Sequence, residues 1–294
     1  MAEKKEIIGG YKLRGQIANT GQSSQDFEVI EPSSFRHFAM KILLPEHVKK
    51  ADKRKELFHE ASVGIKMRHE NVINILKVSR DQQNPHFVME FFPSGSLRTR
   101  LISKDPKDKE FVKQNARKIF RQVATGLAYM NANGFVHCDV KPDNILVNAI
   151  GQAKIIDFAI SKQIPKGLAR LFRKKGKPQG TPSYMSPEQI RAQIPDPRWD
   201  IYSYGCTLYE LTTGRSPFRG NTQNELLGKH LVEKPASPVS YNPDLTDEFG
   251  NFVVKLLAKK KENRPSNFHE VLIELKKTRI FKSFDDREEA HELA

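Results

Sequence analysis

Eight consecutive residues, His137-Cys138-Asp139-Val140-Lys141-Pro142-Asp143-Asn144, crowd acids, an amide and a lysine into one short stretch. A turn that sets Asp139 and Asn144 five positions apart, with Lys141 between them, gathers a base, a metal ligand and a cation in one small volume. Thirteen residues later Asp157 follows the run AKII. Carboxylate and amide oxygens are hard ligands that suit Mg²⁺, which needs only one or two protein groups when phosphates supply the rest. Asn144 and Asp157 are therefore candidates to hold a metal–triphosphate. Asp139 would then orient an attacking hydroxyl and accept its proton, while Lys141 offsets charge on a transferring phosphoryl group. Asp and Asn also favour plain turns, which accounts for any one of these residues but not for the whole set.

The elements that must position this set are legible as patterns. YKLRGQIA, QDFEVIE and HFAMKIL read as three antiparallel strands, and residues 45–68 read as a helix with Leu57, Phe58, Ala61 and Ile65 near an i, i+3, i+4 rhythm. VINILKVS and PHFVMEF read as two more strands, and FFPSGS as a linker broken by Pro93 and Gly95. FVKQNARKIFRQVATGLAYMNANG reads as one long helix stopped at Asn133 and Gly134. FVHC, NILVN and AKIIDF are short apolar strands around the opening motif, and helices return from Trp199 through Lys277. The organisation expected is an N-terminal extension at 1–10, a small β-rich lobe at 11–92, a larger helical lobe at 93–282 and an acidic tail at 283–294.

Composition narrows the class. The chain has 294 residues, 38% hydrophobic and 29% charged, as in soluble globular proteins. Its apolar runs fall far short of the roughly 20 residues a bilayer-spanning helix needs. MAEKKEIIGG carries neither a signal core nor a glycine after Met1. With only two cysteines, Cys138 and Cys206, and no CxxC pair, a disulfide framework or zinc site is not expected, and a reducing, cytoplasmic setting is. Lys and Arg outnumber Asp and Glu by 49 to 35, which suits either a solvated basic surface or an acidic partner; nucleic acid is the less favoured partner.

The motifs together resemble the eukaryotic-type (Hanks-type) serine/threonine protein kinases, in the branch also found in bacteria. The family signature H-R-D-L-x-x-x-N, D-F-G, A-P-E and V-A-I-K reads here HCDVKPDN, DFA (157–159), SPE (186–188) and FAMK (38–41), in the family's order across about residues 11–280. The resemblance implies an α+β bilobal fold, with a small antiparallel sheet lobe carrying one main helix and a larger, mainly helical lobe. It implies transfer of the ATP γ-phosphoryl group to Ser or Thr of protein substrates, with Mg²⁺ or alternatively Mn²⁺. Lys41 resembles the phosphate-binding lysine and Glu60 its ion-pair partner. Met89 would back the nucleotide pocket, the backbones of Glu90 and Phe92 would meet adenine, and Ala39 and Leu146 would sandwich it. Ile17 and Gly21 belong to the nucleotide cover. Thr181 in GTPSYMSPE resembles the threonine that contacts the catalytic aspartate and lysine. His137 and Phe158 are structural members of their motifs, Glu188 and Arg264 resemble a pair anchoring the activation segment, and Asp200 the acid bracing the catalytic loop.

Several departures carry their own expectations. The glycine-rich loop is degraded in either of two registers: the slots fall on Asn19, Gly21 and Ser24 with Asp26 in the valine position, or on Ala18, Thr20 and Ser23 with Gln25 there. Fewer glycines loosen a phosphate cover, and an acid beside it repels phosphate, so weak ATP affinity is expected. Cys138 replaces the arginine that pairs with an activation-loop phosphate in much of the family (a non-RD variant), and residues 162–180 contain no Ser, Thr or Tyr. Activity independent of phosphorylation there follows. Residues 162–177 hold seven cations and no acid, and KGLARLFRKK has the spacing of a basic amphipathic helix able to dock an acidic substrate. Ala159 in place of glycine restricts its hinge, and Gly64 stands where a large apolar residue would lock the helix. Cys138 reads as a buried filler rather than a redox switch. The runner-up reading is a pseudokinase, a scaffold with weak nucleotide binding.

Overall fold

The computed structural model describes residues 7–18, 23–165, 167 and 178–284. Gly21, most of the basic stretch 162–177, with its expected amphipathic helix, and the tail beyond Phe284 lie outside them. The described residues form two compact units, one running to Pro93 and including Ile156–Ala159, the other formed by Ser94–Ile155 and the residues from Ile160 onward.

The first unit is an antiparallel sheet of six strands, β1 (Ile7–Ile8), β2 (Tyr11–Ala18), β3 (Ser24–Ile30), β4 (His37–Leu43), β5 (Ile75–Ser79) and β6 (His86–Glu90), in the order β1-β2-β3-β4-β6-β5. Alternation along the strands sorts the side chains onto two faces. Phe38, Met40 and Ile42 of β4 join Ile8, Tyr11, Val29 and Val88 in a buried core. The opposite face carries Ala39 and Lys41 with their register partners Glu28, Asp26, Met89 and Phe87. The helix read over 45–68 is shorter: Pro45–His47 is a 3₁₀ turn, and α1 spans Ala51–Gly64 because Lys50 is extended. α1 buries Leu57, Glu60, Ala61, Val63 and Gly64. The strand expected from Val72 starts only at Ile75, since Val72 closes a turn on His69.

In the second unit, the segment read as a linker supplies β7 (Gly95–Ser96), paired with β9 (Ile145–Val147), which pairs in turn with β10 (Ala153–Ile155). β8 (Phe135–Val136) pairs with β11 (Lys162–Gln163). The long helix expected over Phe111–Gly134 is divided. α2 (Leu97–Ile102) and α3 (Pro106–Gln114) precede α4 (Ala116–Ala132), and the break falls at Asn115, whose side chain donates to the Phe111 carbonyl at 2.9 Å. A side-chain amide that competes for backbone acceptors ends helices in this way. The stop after α4 is as expected, with Gly134 left-handed at φ +82°. After α5 (Pro187–Ile190) comes α6 (Arg198–Thr213), which buries every residue from Trp199 to Thr212 and forms the centre of this unit. α7 (Gln223–Val232), α8 (Asp247–Leu256) and α9 (Phe268–Lys277) complete it. Among the described residues no helix is long and apolar enough to cross a membrane.

Candidate functional site

In the second unit the opening motif is held from below by α6. Asp200, fully buried, accepts the backbone N–H of His137 at 2.8 Å and of Cys138 at 2.9 Å. Burial pushes its carboxyl up, against the pull of His137 and these amides. Clamped in this way, Cys138 takes a left-handed conformation at φ +71°, unusual for a residue other than glycine. Its side chain is 2% exposed and packs with Val136 and Trp199, against Ile160 and Ile164. Burial raises its thiol far above the ordinary value, which suits a packing group rather than a reactive one.

Asp139 follows, and its carboxylate is the hub. Oδ1 accepts the Thr181 backbone N–H at 2.9 Å and its hydroxyl at 2.8 Å, while Oδ2 lies 2.7 Å from Lys141 Nζ. Lys141 also donates to Thr181 Oγ1 at 2.6 Å. Burial pushes the Asp139 carboxyl up, but Lys141 and Thr181 overcome it and hold the group below its ordinary value. It is ionised at neutral pH and able to accept a proton. Asn144 donates its amide N–H groups to the Asp139 carbonyl at 2.8 Å and to Oδ2 at 3.1 Å. Its amide oxygen is thereby turned elsewhere and receives no donor among the described residues, as a hard-cation ligand requires.

The second group lies in the first unit. Lys41 Nζ donates to Glu60 Oε1 at 2.8 Å, with both side chains 7% exposed. Burial alone would lower the Lys41 pKa, but Glu60, Asp26 and Asp157 outweigh it and keep the lysine charged. Burial raises the Glu60 carboxyl to about 7, with Lys41 opposing and Asp157 and Asp26 adding to the rise. Asp157 is left-handed at φ +67°, and its Oδ1 accepts the Ala159 N–H at 3.1 Å; no described residue donates to Oδ2. Ala159 is not among the left-handed residues, so its methyl carries no strain. Ser23, Ser24, Lys41, Glu60, Asp157 and Ala159 border a cavity of about 110 Å³.

The remaining candidates fall at definite places. Ala39 and Met89 are direct cross-strand partners beside Lys41. Ile17 is 45% exposed at an irregularity of β2. The Glu90 N–H is committed to the Asn74 carbonyl at 3.0 Å, so only its carbonyl could serve a base. Phe92 and Leu146 are half-buried, and Phe158 is fully buried in the first unit. Glu188 and Arg264 meet in a buried two-pronged pair, both contacts 3.0 Å.

Two features escaped the sequence. The strand register sets Asp26 directly opposite Lys41 and Gln25 opposite Ile42. Only the register that puts Asp26 in the valine position therefore places that residue on the lysine face. Arg98 reaches Glu210 at 2.8 Å, Asp143 at 3.1 Å and the Tyr184 hydroxyl, which braces the turn before Asn144. Partners 45 and 112 residues away left no local signal.

The family model for the protein kinase domain matches residues 13–275. A probable serine/threonine-protein kinase of Clostridium acetobutylicum is 29% identical over 285 residues, 95% of this chain and 41% of that protein. One from Streptomyces coelicolor is 26% identical over 279 residues, 94% of this chain and 41% of that protein. Serine/threonine-protein kinase PknB of Mycobacterium leprae is 28% identical over 268 residues, 90% and 42% respectively. The chain spans about two fifths of the length of these curated relatives.

Proposed function

Since the chain belongs to the protein kinase domain family, we propose that it transfers the γ-phosphoryl group of ATP to serine or threonine hydroxyls of proteins. The observation that carries this reading is the Asp139 carboxylate, kept ionised by Lys141 and Thr181 while every other group the chemistry needs is also present. A scaffold has no need of that whole set, so the pseudokinase reading is not favoured.

Each residue has a role in this reading. Asp139 orients the acceptor hydroxyl and takes its proton. Lys141, already beside Asp139, offsets charge on the phosphoryl group in transfer. Lys41, fixed by Glu60, binds nucleotide phosphates. The free oxygens of Asn144 and Asp157 fit Mg²⁺, or Mn²⁺ in its place, and such an ion, when bound, neutralises charge on the phosphates. Ala39, Met89, Leu146, Ile17 and the backbones of Glu90 and Phe92 would serve the adenine, with 11–92 as the nucleotide-binding lobe and 93–282 as the catalytic one.

The finer proposals concern regulation and partners. Cys138 seals an apolar cluster in place of an arginine, which supports a kinase that needs no phosphate on its activation segment. Ser161, 2% exposed, is no accessible acceptor. The basic stretch 162–177 is proposed to dock acidic substrates, and two free buried cysteines fit a cytoplasmic setting. Incubation with labelled ATP, Mg²⁺ and a generic acidic protein should label Ser or Thr. Asp139→Asn should lower kcat about 10²- to 10⁴-fold with the circular dichroism spectrum unchanged. Equal labelling by the two proteins would overturn the assignment.

A further inference from the structure

A separate cavity of about 290 Å³ lies in the second unit, at the far end of α6 from the opening motif. Asp200, which clamps that motif, and Leu211, which lines the cavity, stand about 16 Å apart along the helix axis. None of the lining residues belongs to the set assigned above to nucleotide, metal or acceptor. A water-sized group takes up about 30 Å³, so there is space for roughly ten non-hydrogen atoms. The buried part of the lining is apolar and includes Val112, Phe120 and Phe281. A second ring backs each phenylalanine: Phe120 stacks on Phe249 at 6.2 Å and Phe281 on Phe284 at 5.5 Å. Tyr241, 43% exposed, adds a third ring to the wall. The lining also carries Arg100, Lys109 and Lys113 and no acid. Asp108 takes Arg100 at 2.8 Å and Asp244 takes Lys113 at 2.9 Å, whereas Lys109 has no acidic partner among the described residues. Arg100 Nε is buried with no acceptor, and a buried donor left unpaired is costly. One anionic group supplies what both cations lack.

We propose that this cavity binds a small aromatic monocarboxylate, with its ring against Phe120, Phe281 and Tyr241 and its carboxylate on Arg100 Nε and Lys109. Three rings in the wall favour an aryl over an alkyl body, since aromatic pairs gain beyond the area they bury. A single negative charge matches the one lysine that no acid compensates. A cavity with a mostly apolar wall and a few convergent polar groups is the form small-molecule sites take. Binding here is independent of the transfer reaction, so failure of either leaves the other standing.

Calorimetric titration of the full chain with phenylacetate should give a Kd of about 0.1–1 mM, as a ligand of this size allows. At ~10 mM the same compound should raise Tm by about 2 °C or more. Phenylacetamide, of the same shape without the charge, should bind about tenfold more weakly. Octanoate, of the same charge and similar size without the ring, should bind at least about threefold more weakly. Lys109→Gln, a change at an exposed position, should weaken phenylacetate about fivefold and narrow its advantage over the amide. Leu101→Trp puts a large side chain into the cavity wall and should abolish binding; if that variant does not fold, Lys109→Gln decides. No binding to the wild type, equal affinity for phenylacetate and phenylacetamide, or unchanged phenylacetate affinity in Lys109→Gln would each sink the proposal. So would undiminished binding to folded Leu101→Trp, which would put the ligand elsewhere, or octanoate binding as tightly as phenylacetate, which would make the cavity an alkyl-chain site.

Discussion

At the scale of single residues, two carboxylates are pushed in opposite directions, and the pH dependence follows. Asp139 is held below its ordinary value, so its charge and its contribution to stability persist at neutral pH and are lost on acidification. Glu60 is raised to about 7, so its contribution to stability is full below its ordinary value of 4.5 and is lost as pH rises through about 7. Under the proposed function its use would run the other way, because only the ionised form pairs with Lys41. An acid limb in kcat/KM with a midpoint near 7 is therefore expected. Asp26→Asn removes one carboxylate facing both Lys41 and Glu60. That variant should shift the limb to lower pH and reduce the KM for ATP, and a pH series of initial rates would check both. An unmoved limb with an unchanged KM would show that Asp26 does not act on the nucleotide side of the sheet.

At the scale of elements, the second unit relies on a buried ion pair and on an apolar cluster around Cys138. Arg264 is completely enclosed and donates to Glu188, to Ala258 O at 2.7 Å and to Arg198 O at 2.9 Å. Glu188→Ala leaves a guanidinium with no counter-charge in the interior and should cost about 3–5 kcal/mol in urea unfolding. Cys138 lies two residues beyond β8, against Trp199, the only tryptophan in the chain. Cys138→Arg would bury a charge among Val136, Trp199, Ile160 and Ile164. A loss of about 3 kcal/mol is expected, read by tryptophan fluorescence during denaturation. If Cys138→Arg were instead neutral and made activity respond to a phosphate on the segment, the apolar cluster would not be what holds that segment.

At the scale of the whole molecule, the excess of basic residues gives a net charge of +14. Charges exposed to solvent act over a Debye length of about 10 Å at 0.1 M salt. If the basic stretch docks acidic substrates, kcat/KM for an acidic peptide should fall about tenfold between roughly 0.05 and 0.5 M salt. A neutral peptide should change little. Parallel behaviour of the two peptides would assign the charge to solubility alone.

The sequence by itself pointed to the class of chemistry proposed, because Asp139, Lys141, Asn144 and Asp157 carry residue types that phosphoryl transfer would use, and the resemblance adds Lys41 and Glu60. It also determined most strands and the stop at Gly134, which depend on local periodicity and backbone freedom. Helix boundaries were less legible: the break at Asn115 depends on a side chain choosing a backbone acceptor, which periodicity does not report. What only the tertiary structure decided depends on contacts between residues distant in the chain. The sheet register put Asp26 across from Lys41, Arg98 found Glu210 and Asp143, and Trp199 closed over Cys138. At Gly64, where a large apolar residue was expected to lock the helix, Ile75 and Phe158 arrive from elsewhere in the chain and occupy that space. Packing of that kind is set by shape, and a linear pattern does not encode it.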